Sequence, residues 1–159
     1  MDIPEHILER VRSGLLARNG MLATAESCTG GLVGHWVTSL PGSSRWYTGG
    51  VIAYANAVKR DVLGVSEQLL SEHGAVSQAV VETMAKGVAG LLATEYSLAI
   101  SGIAGPEGGT LQKPVGTVWL AWCCAGALQS RRYVFQGDRH EVKYLAARQG
   151  LENLGAAVS

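Results

Sequence analysis

Ser27 lies in the run Ala25-Glu26-Ser27-Cys28-Thr29-Gly30-Gly31, where an apolar stretch gives way to hydroxyls and glycines. A serine between a strand and a helix can present its hydroxyl to solvent, with the helix N-terminus behind it to stabilise negative charge. The same position suits an N-cap, and position alone favours the cap. As a nucleophile, Ser27 would need a base. There is no Gly-x-Ser-x-Gly elbow, and His6, His35, His73 and His140 are scattered without an obvious base context. Lys59, in Tyr54-Ala55-Asn56-Ala57-Val58-Lys59, is the remaining candidate. A lysine acts as a base when burial and nearby positive charge leave its amine neutral. Tyr54 could pass a proton or hold a hydroxyl network together. Spacing alone instead makes Lys59 and Arg60 an ordinary solvated helix face.

A second glycine-rich stretch, Ser101-Gly102-Ile103-Ala104-Gly105-Pro106-Glu107-Gly108-Gly109-Thr110, also begins where an apolar run stops. It is neither a P-loop nor a Gly-x-Gly-x-x-Gly turn. Its backbone donors could cradle phosphate or form an oxyanion hole, and a flexible surface loop is the rival account. Arg139, in Gln136-Gly137-Asp138-Arg139, suits bidentate recognition of phosphate or carboxylate, with a salt bridge to Asp138 or Glu141 as the plainer alternative. Two such stretches in one chain suggest one shared pocket.

The elements that must position these residues follow from periodicity. Ile3, Ile7, Leu8, Val11, Leu15 and Leu16 recur at helical spacing and predict an N-terminal helix ending near Asn19-Gly20. Residues 21–25 form a buried strand, 31–40 a helix, and Pro41-Gly42-Ser43-Ser44 a turn. In the strand 47–54, the Gly49-Gly50 pair predicts a bulge or a close backbone approach. Short helices follow at 57–63 and 66–72, then a long helix to about residue 93 capped by Ser77. A strand at 96–100 leads into the second glycine-rich loop. A hairpin of 114–124 and 128–136 turns at Ala125-Gly126, and a helix spans about 138–154. This order predicts an α/β fold, a three-layer α/β/α sandwich around a mixed sheet. Both glycine-rich loops follow strands, so they can meet at the carboxyl ends of those strands.

The 159 residues suffice for one domain with a sizeable core, spanning 1–159. Thirteen basic residues balance thirteen acidic ones, so no broad nucleic-acid surface is expected. The apolar runs fall short of a membrane span and the N-terminus is no signal peptide, which points to the cytoplasm. Cys28, Cys123 and Cys124 read as reduced small hydrophobes, and no residue spacing suggests a metal site.

Taken in order, these stretches resemble the C-terminal domain of the competence/damage-inducible protein CinA. The resemblance is carried by Ala25-Glu26-Ser27-Cys28-Thr29-Gly30-Gly31, Gly50-Val51-Ile52-Ala53-Tyr54, Asn56, Lys59, Leu63-Gly64-Val65 and His73-Gly74-Ala75-Val76-Ser77. It continues through Ser101-Gly102-Ile103-Ala104-Gly105-Pro106, Gly108-Gly109-Thr110, Lys113-Pro114-Val115-Gly116-Thr117-Val118 and Gly137-Asp138-Arg139. That family includes nicotinamide-nucleotide amidases. The resemblance implies hydrolysis of nicotinamide mononucleotide to nicotinate mononucleotide and ammonia, with no metal or other cofactor. It assigns Ser27 as nucleophile, Lys59 as general base and Tyr54 as a supporting proton-transfer group. It also implies that the substrate nucleotide is held by Thr29, Gly30, Gly31, Asn56, Ser101, Gly102, Gly105, Gly108, Gly109, Thr110 and Arg139.

Pyrophosphatase activity, associated with the N-terminal domain of full-length CinA proteins, is expected to be absent. Ala57 stands where the family often has an acidic residue, and Lys143 where a second arginine is common. Members of that family can form homodimers, to which Trp36 or Trp46 could contribute if exposed. The rival readings are a nucleotide-binding module without hydrolysis, an amidase for another small amide, and a cysteine amidase through Cys28.

Overall fold

A computed structural model describes residues 4–159. The elements run α1 (Glu5–Ala17), β1 (Leu22–Glu26), α2 (Leu32–Ser39), a 3₁₀ turn (Ser43–Arg45), β2 (Tyr47–Ile52), α3 (Asn56–Asp61), α4 (Glu67–His73) and α5 (Gln78–Leu92). They continue with β3 (Tyr96–Gly102), β4 (Thr117–Cys124), β5 (Ala127–Val134) and α6 (Arg139–Ala157). Each element predicted from periodicity is present within a few residues of its expected ends. Ile3, assigned above to the first helix, lies outside the described residues. Among the described residues no helix is long and apolar enough to cross a membrane.

The strands form one five-stranded sheet in the order β2-β1-β3-β4-β5. β1 runs parallel to both β2 and β3, while β3, β4 and β5 pair antiparallel. The sheet is therefore mixed, as expected. At Gly49 the β1–β2 register shifts, because Leu22 faces Tyr47 and Ala23 faces Gly49. A Cβ on Gly50 would stand 2.2 Å from Thr24 Oγ1, so the glycine pair serves both as bulge and as close approach.

Alternation along the strands gives the sheet two unlike faces. One carries Leu22, Leu98, Ile100 and Leu120, packed beneath α1, α2 and α6. The other carries Ala23, Ala25, Ala99 and Ala121, a shallow floor on which α5 lies with Val80, Val81, Met84 and Val88. Small residues there let a long helix come close to the strands; large ones opposite fill the wider gap under three helices. Trp36 and Trp46 belong to the first of these cores, at 3% and 0% exposure. They are therefore not the exposed aromatics the sequence suggested, and their apolar area is already spent inside the molecule.

Parallel pairing sets where the loops emerge. β1, β2 and β3 all point the same way, with Glu26 in register with Ile52 and Ile100. Across two antiparallel steps β5 points that way as well, with Val134 opposite Thr117. Ser27, the 53–59 segment, the 101–110 loop and the start of α6 consequently leave the sheet at one edge.

Candidate active site

At that edge is a cavity of about 270 Å³ lined by Ser27, Tyr54, Asn56, Lys59, Ser101, Gly102, Gly105 and Arg139, among others. Ser27 continues the face of Ala23 and Ala25, which turns it toward α3. Its hydroxyl accepts a hydrogen bond from Lys59 Nζ at 3.0 Å. Ser27 does not cap α2: the N-cap residue is Gly31, without a side-chain cap bond. The amides at the start of α2 go instead to Glu26, whose carboxylate accepts from Gly31, Val33 and Gly34 at 2.9–3.1 Å. The helix N-terminus expected behind the Ser27 hydroxyl is thus occupied by the neighbouring carboxylate.

Lys59 is 1% exposed, whereas Arg60 reaches solvent and pairs with Asp61 and Glu67. The solvated-face reading holds for Arg60 and fails for Lys59, which α3 turns inward beneath β2. Besides Ser27, its ammonium donates to the carbonyls of Ala53 (2.7 Å) and Tyr54 (3.2 Å). Among the described residues no carboxylate forms an ion pair with it. Burial pushes its pKa below the ordinary 10.5. The three acceptors match the three N–H bonds of the charged form. When the amine is neutral, the two carbonyls still hold its two N–H bonds, and the lone pair faces the Ser27 hydroxyl.

Tyr54 is 61% exposed, and its hydroxyl accepts from Arg139 Nη2 at 2.9 Å. Arg139 Nη1 donates to Gly105 O at 2.6 Å, so one guanidinium ties the second loop to the end of β2. Arg139 makes no salt bridge with Asp138 or Glu141; those two form a capping box for α6. Ile103 and Thr110 fasten the second loop by backbone bonds to Thr117 and Lys113. Between them Ala104, Gly105 and Glu107 line the cavity, and their amides donate to no acceptor among the described residues.

The other candidates are engaged elsewhere or lie outside the cavity. Ser101 lines the cavity, but its hydroxyl donates to Ala75 O at 2.7 Å. Thr29 is buried, and its hydroxyl has no hydrogen-bond partner among the described residues. Gly30 lies toward Lys143, and Gly31 lines a separate hollow with Thr24, Glu26 and Tyr47. Gly108, Gly109 and Thr110 continue the loop beyond the cavity lining. Cys28 is among the cavity-lining residues, but its side chain belongs to the core, and burial pushes its pKa up to about 12. It stays protonated at neutral pH, which removes the electrostatic basis for a cysteine nucleophile.

The profile of the CinA C-terminal domain matches residues 4–158. The chain belongs to the CinA C-terminal domain family. Similar proteins include the nicotinamide-nucleotide amidohydrolase PncC of Pseudomonas putida, 44% identical over 158 residues, covering 98% of this chain and 99% of that protein. PncC of Escherichia coli K12 is 46% identical over 147 residues, covering 92% and 89%. A CinA-like protein of Gemmatimonas aurantiaca is 49% identical over 140 residues, which is 88% of this chain but 33% of that protein. The chain thus spans about a third of the length of the CinA-like proteins it matches.

Among solved CinA structures, a competence or damage-inducible protein from Enterobacter asburiae superposes with a TM-score of 0.95 at 33% identity, covering 100% of both chains. A CinA superfamily protein from Klebsiella pneumoniae gives 0.92 at 38%, covering 96% of each. Sequence reasoning missed several CinA-domain residues at this edge. Glu26 was read only as part of a motif, although an acidic residue just ahead of a helix start is itself a capping signal. Ala75, Val76 and Glu107 also line the cavity, and no residue-type signal marks the first two.

Proposed function

We propose that this chain hydrolyses the carboxamide of nicotinamide mononucleotide, giving nicotinate mononucleotide and ammonia. The observation that carries the reading is the buried Lys59 amine held against Ser27 by two carbonyls. Relatives of the same length that carry the amidohydrolase name support the substrate class. In this mechanism neutral Lys59 takes the Ser27 proton while Oγ bonds to the amide carbon. The tetrahedral adduct collapses, the C–N bond breaks, and Lys59 returns its proton to the departing ammonia. Water then attacks the acyl-enzyme with Lys59 again as base, releasing the carboxylate and restoring the serine.

The free amides of Ala104, Gly105 and Glu107 are donors available to an oxyanion or a phosphate, and Arg139 adds a cation beside them. Tyr54, whose hydroxyl accepts from Arg139 in the same cavity, is the supporting proton-transfer group. The test is ammonia release from nicotinamide mononucleotide by the purified protein, beside Ser27→Ala and Lys59→Ala. Each variant is expected to lose turnover by a factor of about a thousand or more while remaining folded. Binding without ammonia release by the folded wild type would overturn the reading in favour of a nucleotide-binding module.

A further inference from the structure

Glu26 is 2% exposed, adjoins the nucleophile in sequence, and points away from it. Alternation along β1 sends Leu22, Thr24 and Glu26 toward α2, while Ala23, Ala25 and then Ser27 face the other side. The first amides of a helix need acceptors from outside it. In the turn that opens α2, the hydroxyls of Ser27 and Thr29 are the side chains best suited to that task by type. Neither performs it. Gly31, the N-cap residue, has no side chain to offer, and the Glu26 carboxylate takes the amides of Gly31, Val33 and Gly34 with its two oxygens.

The backbone of Glu26 has a second task. Its carbonyl accepts from Ala53 N at 2.8 Å, and the Ala53 carbonyl in turn accepts from Lys59 Nζ at 2.7 Å. One residue therefore anchors the supports of both members of the Ser27–Lys59 pair.

We propose that Glu26 is a positioning residue, whose carboxylate caps α2 in place of the turn hydroxyls and so leaves Ser27 free to face Lys59. Without it, the amides of residues 31–34 compete for the nearest hydroxyl, and Ser27 is drawn from the amine toward the helix. Glutamine at this position keeps one carbonyl oxygen but sets an NH₂ group against backbone donors, so it cannot reproduce the three bonds. This inference rests on the reading of Ser27 and Lys59 as nucleophile and base.

The test compares wild type, Glu26→Gln and Ser66→Ala. The last removes the exposed N-cap of α4, where Ser66 Oγ accepts from Leu69 N at 3.1 Å, away from the site. Three readouts are taken: kcat and KM on nicotinamide mononucleotide, the rate at which a fluorophosphonate labels Ser27, and amide hydrogen exchange. In Glu26→Gln the amides of Gly31, Val33 and Gly34 are expected to lose protection. Its kcat and its labelling rate should fall together by about tenfold or more with KM nearly unchanged. Ser66→Ala should lose stability without either loss of rate.

Wild-type rates in Glu26→Gln overturn the proposal, as does an equal loss of both rates in Ser66→Ala at matched melting temperature. A wild type that labels at Ser27 but releases no ammonia overturns the substrate reading alone, and the labelling comparison still decides Glu26. A wild type that does not label at Ser27 overturns both.

Discussion

A lysine that must surrender its proton to act as a base cannot be replaced by arginine, whose guanidinium stays charged. Lys59→Arg is therefore expected to lose kcat/KM on nicotinamide mononucleotide by about a thousandfold or more, although the positive charge is kept. Recovery of more than a small fraction of wild-type activity would remove Lys59 from the base role. The same residue sets a pH dependence. Burial disfavours its ammonium, so its folded pKa lies below 10.5, and the reactive amine grows as pH rises. The acid limb of kcat/KM should accordingly have its midpoint below 10.5. In the window between the lowered value and 10.5 the unfolded chain holds more protons than the folded one. Lys59's contribution to stability therefore rises with pH through that window and is least below it. Comparing urea unfolding of wild type and Lys59→Met across this range isolates the slope. Cys28 gives the opposite expectation: with its thiol pushed up to about 12, Cys28→Ala should keep turnover within a few-fold. Loss of turnover in that variant, with the fold intact, would return the thiol to the mechanism.

At the scale of elements, the site depends on how closely β3 passes beneath the Ser27 turn. A Cβ on Gly102 would meet Val118 Cγ2 at 2.6 Å, Cys28 Sγ at 3.0 Å and Thr117 O at 3.0 Å. Gly102→Ala must therefore shift either the β4 backbone or the turn, at a cost of about 1–3 kcal/mol. Displacing Cys28 also moves Ser27, so ammonia release should fall along with the melting temperature. Gly90 is the contrasting case, a helical glycine in α5 for which no described residue beyond its chain neighbours and its own helix backbone comes within 4 Å of an added Cβ. Gly90→Ala is expected to raise stability by about 0.5–1 kcal/mol and leave turnover alone. Thermal unfolding and an ammonia assay on both variants check the pair; a neutral Gly102→Ala would refute the close-approach argument.

The elements themselves were legible because most apolar runs are bounded by a glycine, a proline or a helix-starting cap such as Ser77 or Asp138. The inward turn of Lys59 was not legible. α3 has six residues, too few for a periodic pattern, and Arg60 beside it is exposed. Burial there is decided by the segment just after β2, whose carbonyls hold the amine, and by Ser27, which is distant in sequence. The capping role of Glu26 was hidden for a similar reason, since a hydroxyl cap at Ser27 satisfies every local rule. The burial of Trp36 and Trp46 was not legible either, since it is set by the core they join and not by spacing.

At the scale of the whole molecule, the cavity is complete only when the full sheet has formed. Ser27 follows β1, Tyr54 and Lys59 follow β2, the 101–110 loop follows β3, and Arg139 follows β5. Arg139 then joins two of these segments by holding Gly105 O and the Tyr54 hydroxyl together. A ligand that fills this cavity binds the folded chain and has no site on the unfolded one, so it must stabilise the fold by mass action. At a hundred times its dissociation constant the gain is about 2.7 kcal/mol. For a chain of this size each kcal/mol moves the melting temperature by about 2–4 °C. Ser27→Ala keeps the cavity but, on the proposed mechanism, cannot form the acyl-enzyme, so nicotinamide mononucleotide should raise its melting temperature by about 5–10 °C. Arg139→Ala in the same background removes the cation and unties the loop, so most of that shift should vanish. Free ribose 5-phosphate separates the two contributions: a shift retained with it would place the binding energy in the phosphate contacts. No shift with either ligand, in folded Ser27→Ala, would mean that this edge of the sheet is not the nucleotide site.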